Sequence, residues 1–326
     1  MIENSILKKI KKLNVTIIGD LIIDGYQFID PIGKASKSAT ITANLLDLKF
    51  HLGGAGVIAN HVSSFAKSTN LISYLGRNSS LDSSHFILKS LSKKVKFKGV
   101  HLEYKPNVVK KRYVDNAYRS NKLLEVNEIN NVHIKKPDII KLIDLINYYD
   151  KLSDIVIVAD FGHGLLENKL MINAINNLKS HVALMVQTNS LNFGFNLITK
   201  YKKADYFVID KREASLALNS QDNDMNKKIK LLSKKLNSRL AIITTGKSGC
   251  IVFDKVNNKI FNKLPPSNNE IVFDTVGAGD AFFSITSLLS FYDIDSSVVA
   301  DFGNMAGQYA TSYLGNEKNL SQMLTK

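Results

Sequence analysis

Short apolar runs alternate with stretches of helical length along most of this chain. Val15-Thr16-Ile17-Ile18-Gly19-Asp20, Asp154-Ile155-Val156-Ile157-Val158-Ala159-Asp160, Val182-Ala183-Leu184-Met185-Val186, Tyr206-Phe207-Val208-Ile209-Asp210 and Leu240-Ala241-Ile242-Ile243-Thr244-Thr245 read as strands, with helical segments such as 168–179 and 211–218 between them. Continuous apolar strands separated by helices predict an α/β fold on a mostly parallel sheet with both faces covered. Two stretches break that rhythm. Residues 26–52 and 95–126 alternate apolar and polar with little helical period, which predicts a small antiparallel β-flap, or lid, beside the main sheet. No internal repeat or low-complexity linker divides residues 1–326, so the chain reads as a single domain with that flap attached.

Polar residues gather at the ends of these runs, where open α/β sheets bind their ligands. Asp274-Thr275-Val276-Gly277-Ala278-Gly279-Asp280 leads directly into the apolar Ala281-Phe282-Phe283-Ser284-Ile285, a glycine-rich turn opening a helix with a carboxylate at the junction. Glycines let a ligand approach the backbone, the first-turn N–H groups are unsatisfied, and the helix dipole favours negative charge there. That arrangement suits phosphoryl transfer, with Asp280 placed to take the proton of an attacking hydroxyl. The plainer reading of the same loop is a capped helix after a tight turn. Asp20 and Asp24 follow the first strand, Asp160 closes another, and Asp210 opens a helix carrying Glu213 in its first turn. Each of these, taken alone, serves equally as a cap or turn residue.

The seven-residue loop resembles the second signature, D-T-x-G-A-G-D, of the ribokinase-like (PfkB) carbohydrate kinases, with Val276 in the variable place. The resemblance implies a ribokinase-like three-layer core with the flap over the substrate, ATP and Mg²⁺ as cofactors, Gly277, Ala278 and Gly279 as the anion hole, and Asp280 as the base. Gly19-Asp20-Leu21-Ile22-Ile23-Asp24-Gly25-Tyr26 is similar to the G-D-x-x-x-D-x-Y opening of the kinases that phosphorylate heptose phosphate in ADP-heptose synthesis, whose two aspartates lie in the sugar pocket. Gly53-Gly54-Ala55-Gly56 resembles the first signature, where glycines let the backbone meet the sugar; Val57 replaces the expected asparagine, and Asn60 lies about a turn later. Ala159-Asp160-Phe161-Gly162-His163-Gly164 stands where those kinases have a strand and a small loop, which makes Asp160 a substrate-side or magnesium-side contact and His163 a loop histidine. Gln187-Thr188-Asn189 replaces a polar pair of the Asp-Pro kind, with both amides able to meet phosphate or metal-bound water.

On the nucleotide side, Asp210-Lys211-Arg212-Glu213 resembles the N-x-x-E element that organises magnesium, largely through water, with Asp in place of Asn. Thr244-Thr245-Gly246-Lys247-Ser248-Gly249 resembles a T-x-G-x-x-G turn and puts Thr245, Gly246 and Gly249 beside the nucleotide, as Asp274 and Thr275 are on the signature loop. Asn304, in Gly303-Asn304-Met305-Ala306-Gly307, is similar to a helix position next to the adenine. A monovalent cation is a further expectation by analogy that no residue fixes. Lys110, Lys111, Arg112 and Arg119 on the second flap stretch, with Lys34 and Lys37 on the first, suggest a cationic clamp for an anionic sugar. Strand alternation puts Lys110 and Arg112 on one face and Lys111 on the other, and the planar fork of Arg112 suits phosphate best. A charged edge that discourages aggregation explains the same cations equally well.

Composition narrows the setting. Hydrophobic residues make up 44% of the chain with no long uninterrupted run, which excludes a spanning helix. The opening Met1-Ile2-Glu3-Asn4-Ser5-Ile6-Leu7-Lys8-Lys9 reads as a short amphipathic helix, not a leader, and predicts a cytoplasmic protein. One cysteine, Cys250, leaves no internal disulfide and no thiolate-rich metal site. Forty-three basic against 29 acidic residues give a net charge of +14, yet the lysines are scattered with no stripe of exposed aromatics. Phosphorylated small molecules are therefore expected as partners, and nucleic acid or membrane is not. An uncovered flap predicts a homodimer through residues 29–50. The H-x-G-H signature of nucleotidyl transfer is absent, so a nucleotidylyltransferase in the same pathway is expected as a separate protein. The function expected is ATP-dependent phosphorylation of a sugar or sugar-phosphate hydroxyl, with heptose phosphate for nucleotide-sugar or cell-surface glycan synthesis as the nearest model. A kinase for another small molecule such as a nucleoside, and a non-catalytic homologue that binds nucleotide or sugar phosphate, are the alternatives; Val57 and Gln187 keep the second open while Asp280 argues against it.

Overall fold

The chain begins with α1 (Asn4–Ile10), β1 (Asn14–Gly19), β2 (Leu21–Lys34), β3 (Ile41–Gly54), α2 (Ala55–Ser63), β4 (Ser68–Gly76), α3 (Ser83–Ser90), β5 (Val95–Leu102), β6 (Val108–Asp115) and β7 (Lys122–Glu128). It continues with α4 (Lys136–Asp150), β8 (Ile155–Asp160), α5 (Lys169–Asn176), β9 (His181–Val186), β10 (Tyr206–Asp210), α6 (Lys211–Ala217), α7 (Met225–Leu236), β11 (Leu240–Thr244), β12 (Cys250–Asp254), β13 (Lys259–Lys263), α8 (Ala278–Ser290) and α9 (Ser296–Thr311). This computed structural model describes residues 4–78, 81–117, 121–129, 131–189, 192–266 and 272–325; Arg119 of the expected clamp lies outside them.

Nine strands form the large sheet in the order β13-β12-β11-β10-β9-β8-β1-β4-β5. It is parallel from β11 to β5, and β12 and β13 add an antiparallel edge. Every residue of β8 is buried, as a β-branched strand covered on both faces must be. Alternation along each strand feeds two cores. Ile17 and Ile157 pack with Ile58 and Phe283 on one face, while Ile18, Val156 and Val158 pack with Leu142, Met171 and Leu232 on the other. The result is three layers, helix on sheet on helix. Removing one large core side chain, as in Phe283→Ala, would cost about 3–5 kcal/mol. Helix α8 is buried from Asp280 to Ser290. Its hydroxyls return to the helix's own carbonyls, with Ser284 Oγ donating to Asp280 O at 2.6 Å and Ser287 Oγ to Phe283 O at 2.6 Å, so no hydroxyl of this kind is buried at the cost of a lost bond. Among the described residues, no helix is long and apolar enough to cross a membrane.

The smaller sheet runs β3-β2-β6-β7. Its outer pairs are antiparallel and its central pair, β2 with β6, is parallel. The second flap stretch of the sequence reading needs correction: β5 is not part of the flap but the parallel edge of the large sheet, with Val95 opposite Thr69 and Leu102 opposite Gly76. A half-exposed edge strand alternates just as a flap strand does, which is why the pattern misled. Beyond Ile29 the hairpin of β2 and β3 is exposed on both faces and carries Ile32, Ile41, Leu45, Leu46 and Leu48 in the open.

Chain order turns back at β1, which has β4 on one side and β8 on the other. That is the topological switch point where open α/β sheets form a ligand crevice. The strands are close there: a Cβ on Gly19 would lie 2.2 Å from the carbonyl oxygen of Ala159.

Candidate active site

Asp20 and Asp160 close the two strands of the switch point, and both are spent on holding its walls. Asp20 is buried and accepts the backbone N–H groups of His163 at 3.2 Å and Leu165 at 3.1 Å. Burial, with the charge of Asp160 beside it, pushes its carboxyl up to about 6. Asp160 accepts from Gly162 N at 3.0 Å, Asn196 Nδ2 at 3.2 Å and Tyr201 Oη at 2.7 Å, and pairs with Lys200 Nζ at 2.5 Å. The two carboxylates thus fix the loop between β8 and α5. Their oxygens face the protein and not the open crevice that the sequence assigned to them.

Asp24, on β2, sits one layer outward. Its Oδ1 lies 2.6 Å from Arg112 Nη1 on β6, and Arg112 Nε lies 3.0 Å from Glu125 Oε2 on β7. The guanidinium also covers the Tyr26 ring, 5.6 Å from its centroid. The expected phosphate fork is therefore closed on two carboxylates. Gly53 makes this possible, because a Cβ there would stand 2.2 Å from Asp24 Oδ2. Gly54 has φ +59° and lies against Asp20 O, so the paired glycines are required by the fold itself. Lys111 pairs with Glu128. Lys110 is different: it forms no ion pair among the described residues and lies close enough to bias both Asp280 and His163.

The signature loop crosses above these residues into α8. Asp274 anchors it, accepting from Lys122 Nζ, Tyr26 Oη, Val276 N and Gly315 N. Gly277 has φ +83° and stands where a Cβ would meet Asn316 Oδ1 at 2.0 Å. Gly279 has no such excuse. A Cβ there meets only Gln187 Nε2, at 3.9 Å, so the fold leaves this face of the first helical turn open and a ligand is free to approach its N–H groups. Thr275 is exposed at the same mouth, and its carbonyl accepts from Ala278 N at 3.4 Å. Asp280 is buried, and burial with the nearby charge of Asp24 pushes its carboxyl up to about 7, against a smaller pull from Lys110. Gln187 Nε2 reaches Asp280 Oδ1 at 3.4 Å, a residue that the sequence marked as a departure and did not assign to the base.

On the side that the sequence assigned to the nucleotide, Asp210 and Glu213 form a capping box at α6: Glu213 N donates to Asp210 Oδ1 at 2.7 Å and Asp210 N to Glu213 Oε2 at 2.8 Å. Thr188 N adds a third bond, to Glu213 Oε1 at 2.9 Å. Burial and the charge of Asp210 push the Glu213 carboxyl up to about 7. No group of three or more potential ligands is arranged to hold a metal among the described residues. Two neighbouring carboxylates with no cation partner among the described residues do fit a Mg²⁺ ion that keeps its waters and takes phosphate as its other ligand. Gly246, with φ +64° and open space around it, borders this region, whereas Gly249 lies against Lys263 O at 2.0 Å and is a packing glycine. Thr245 N donates to Gly249 O at 2.8 Å and closes the turn. Asn304 gives its amide to the carbonyls of Lys263 and Leu264, at 3.2 and 3.1 Å, and so positions the end of β13.

Asn60 does not take the place that Val57 vacates: its side chain bridges Ser90 O and Ser92 N. His163 is buried with Nε2 unpartnered among the described residues, and burial with the charges of Lys110 and Lys105 pushes its imidazole down to about 3. It is neutral throughout the physiological range.

Comparison with known proteins shows the family and the fold. The pfkB family carbohydrate kinase profile fits residues 12–322. The bifunctional protein HldE of Aliarcobacter butzleri is 24% identical over 312 residues, which cover 94% of this chain and 62% of that protein. The chain thus spans less than two thirds of that relative. Crystal structures of Phosphofructokinase-2 from Escherichia coli in complex with potassium (TM-score 0.73, 13% identity, 96% of this chain and 97% of that one) and of ribokinase from Thermotoga maritima (TM-score 0.70, 16% identity, 96% and 100%) share its fold.

Proposed function

The chain belongs to the pfkB family of carbohydrate kinases, and we propose that it transfers the γ-phosphoryl group of ATP to a hydroxyl of a sugar that already carries a phosphate, of the heptose-phosphate class. The observation that carries this reading is the pairing of Asp280 with the open backbone of Gly279 at the start of α8, beside Lys110, which has no ion pair among the described residues. A carboxylate whose pKa is about 7 is matched to accepting a hydroxyl proton near neutral pH. As the new oxygen–phosphorus bond forms and the bond to ADP breaks, the acceptor's proton passes to Asp280. The backbone N–H groups of Gly277 and Gly279 face the charge on the transferring group, while that of Ala278 is held by the Thr275 carbonyl at 3.4 Å. Mg²⁺ near Asp210 and Glu213 supplies the neutralisation of phosphate charge when bound.

Lys110 is the proposed contact for the phosphate already on the sugar, since Arg112 is closed on Asp24 and Glu125. Similarity to HldE over most of this chain supports the heptose class. A nucleotidylyltransferase that uses the product is the proposed pathway partner, and the cytoplasm is the proposed compartment. We further propose that the exposed hairpin of β2 and β3 is covered by a second copy, because a two-stranded ribbon with apolar residues on both faces is marginal in water. Asp280→Asn tests the core of the reading: nucleotide affinity stays within about twofold while turnover falls by about two to four orders of magnitude. Turnover close to that of the wild type would remove Asp280 from the role of base.

A further inference from the structure

A monovalent cation at a phosphoryl-transfer loop would be held by its carboxylate and carbonyl oxygens, and here the loop's first carboxylate is neutralised from within the chain. Asp274 heads the loop that ends at Asp280, and it is buried. Lys122 Nζ lies 2.5 Å and Val276 N 3.1 Å from its Oδ1; Tyr26 Oη lies 2.6 Å and Gly315 N 3.0 Å from its Oδ2. An ionised carboxylate offers about four lone-pair positions, so none is left for a free ion. Burial alone would raise this carboxyl, but Lys122 and Tyr26 hold it below its ordinary value. The Tyr26 phenol is pushed far up by burial and by Asp274, and stays a donor. Nor is there spare volume, since a Cβ on Gly315 would stand 2.9 Å from the Tyr26 ring and hydroxyl. The other carboxylate of the loop is Asp280, which the reaction uses. The residues present do not fit a soluble monovalent cation at this loop.

We infer that the Lys122 ammonium is the built-in monovalent cation of the phosphoryl-transfer loop, so that the kinase works without K⁺. The inference rests on the kinase reading above. A tethered ammonium has a high effective concentration at Asp274 and needs no ion from solution. Because Lys122 belongs to β7 and Tyr26 to β2, the same bonds tie the shape of the anion hole to the seated position of the flap. Lys122 acts as a positioning residue: it touches Asp274, which fixes the turn through Gly277 to Asp280.

The test compares KCl with tetramethylammonium chloride at equal ionic strength and constant Mg²⁺, by turnover with a sugar phosphate and by thermal unfolding without substrates. Wild-type turnover is expected to agree within about twofold in the two salts, with the same Tm. Lys122→Met is expected to lose about tenfold in tetramethylammonium, and to regain several-fold activity and a higher Tm when K⁺ or NH₄⁺ is added. Lys122→Arg, which keeps the charge, is expected to ignore the salt. A wild type that loses more than about fivefold in turnover, or several degrees in Tm, without K⁺ overturns the inference. So does a Lys122→Met protein as active in tetramethylammonium as the wild type. If Lys122→Met does not fold, the wild-type comparison decides. Absence of turnover with every sugar phosphate would fail the kinase reading, and the Tm comparison would still decide this one.

Discussion

Replacing Arg112 with alanine separates two roles for a cation on the flap, a clamp for substrate phosphate and one half of a buried ion pair. Arg112 Nη1 lies 2.6 Å from Asp24 Oδ1, with the two side chains only 9% and 6% exposed. Removing one partner of such a pair leaves a buried charge without compensation and costs about 3–5 kcal/mol. Glu125, at 3.0 Å from Nε and 41% exposed, adds little because solvent screens it. Unfolding entropy of about 2.1 cal/mol/K per residue over 326 residues comes to about 0.7 kcal/mol/K, so Tm should fall by about 4–7 °C. The orphaned Asp24 charge also acts on Asp280, so turnover at neutral pH should fall as well. Scanning calorimetry and steady-state kinetics with each substrate varied read both effects. In the double variant Arg112→Ala, Asp24→Asn, much of the lost stability should return, a coupling that two independent sites would not show. A Tm within about 1 °C of the wild type, together with a KM raised for the sugar phosphate alone, would refute this reasoning and restore Arg112 as the clamp.

Lys110→Ala is expected to leave Tm nearly unchanged, because the side chain has no ion pair among the described residues, and to raise the KM for sugar phosphate by about tenfold more than that for ATP; equal effects on both would exclude it as the phosphate contact. The pH dependence of kcat/KM should rise to a plateau with a midpoint near the Asp280 value of about 7, since a general base works deprotonated and burial holds this one protonated below that pH. A rate that is flat down to pH 5 would contradict the assignment. Gly279→Val should fold, since a Cβ there meets only Gln187 at 3.9 Å, yet lose about 100-fold or more in turnover and bind nucleotide weakly as its side chain fills the anion hole; calorimetry and nucleotide titration distinguish that from simple unfolding.

Much of the fold could be read directly from the chain because its signal is local. The five central strands are continuous runs of β-branched and apolar residues, and the Asp210 and Glu213 capping box needs only residues three apart. Val95–Leu102 was misplaced because an edge strand and a flap strand expose one face in the same way. Alternation put Lys110 and Arg112 on one face, but the register sets Lys110 opposite Asp24 and Arg112 opposite Tyr26 and Glu125, and only the side-chain contacts show that Arg112 is the one taken by Asp24 and Glu125. Asp20 and Asp160 stand at the strand ends where ligand contacts are expected. Their partners, the backbone of His163 and Leu165 and the side chains of Lys200 and Tyr201, come from distant parts of the chain and have no local signal. Gln187 is similar: its chemistry was visible in the sequence, and its contact with Asp280 is made only by the sheet. Lys122 and Tyr26 drew no notice as loop anchors for the same reason.

The central claim is that this chain phosphorylates a hydroxyl of a sugar phosphate at Asp280. Its most direct test is ADP release from ATP and Mg²⁺ across a panel of sugars and their phosphates, heptose phosphates included, with Asp280→Asn and excess chelator as controls. The proposed function predicts turnover with at least one sugar phosphate, a lower kcat/KM for the matching neutral sugar, and loss of signal in both controls. A wild type that prefers neutral sugars or nucleosides, or an Asp280→Asn protein that turns over normally, would contradict it.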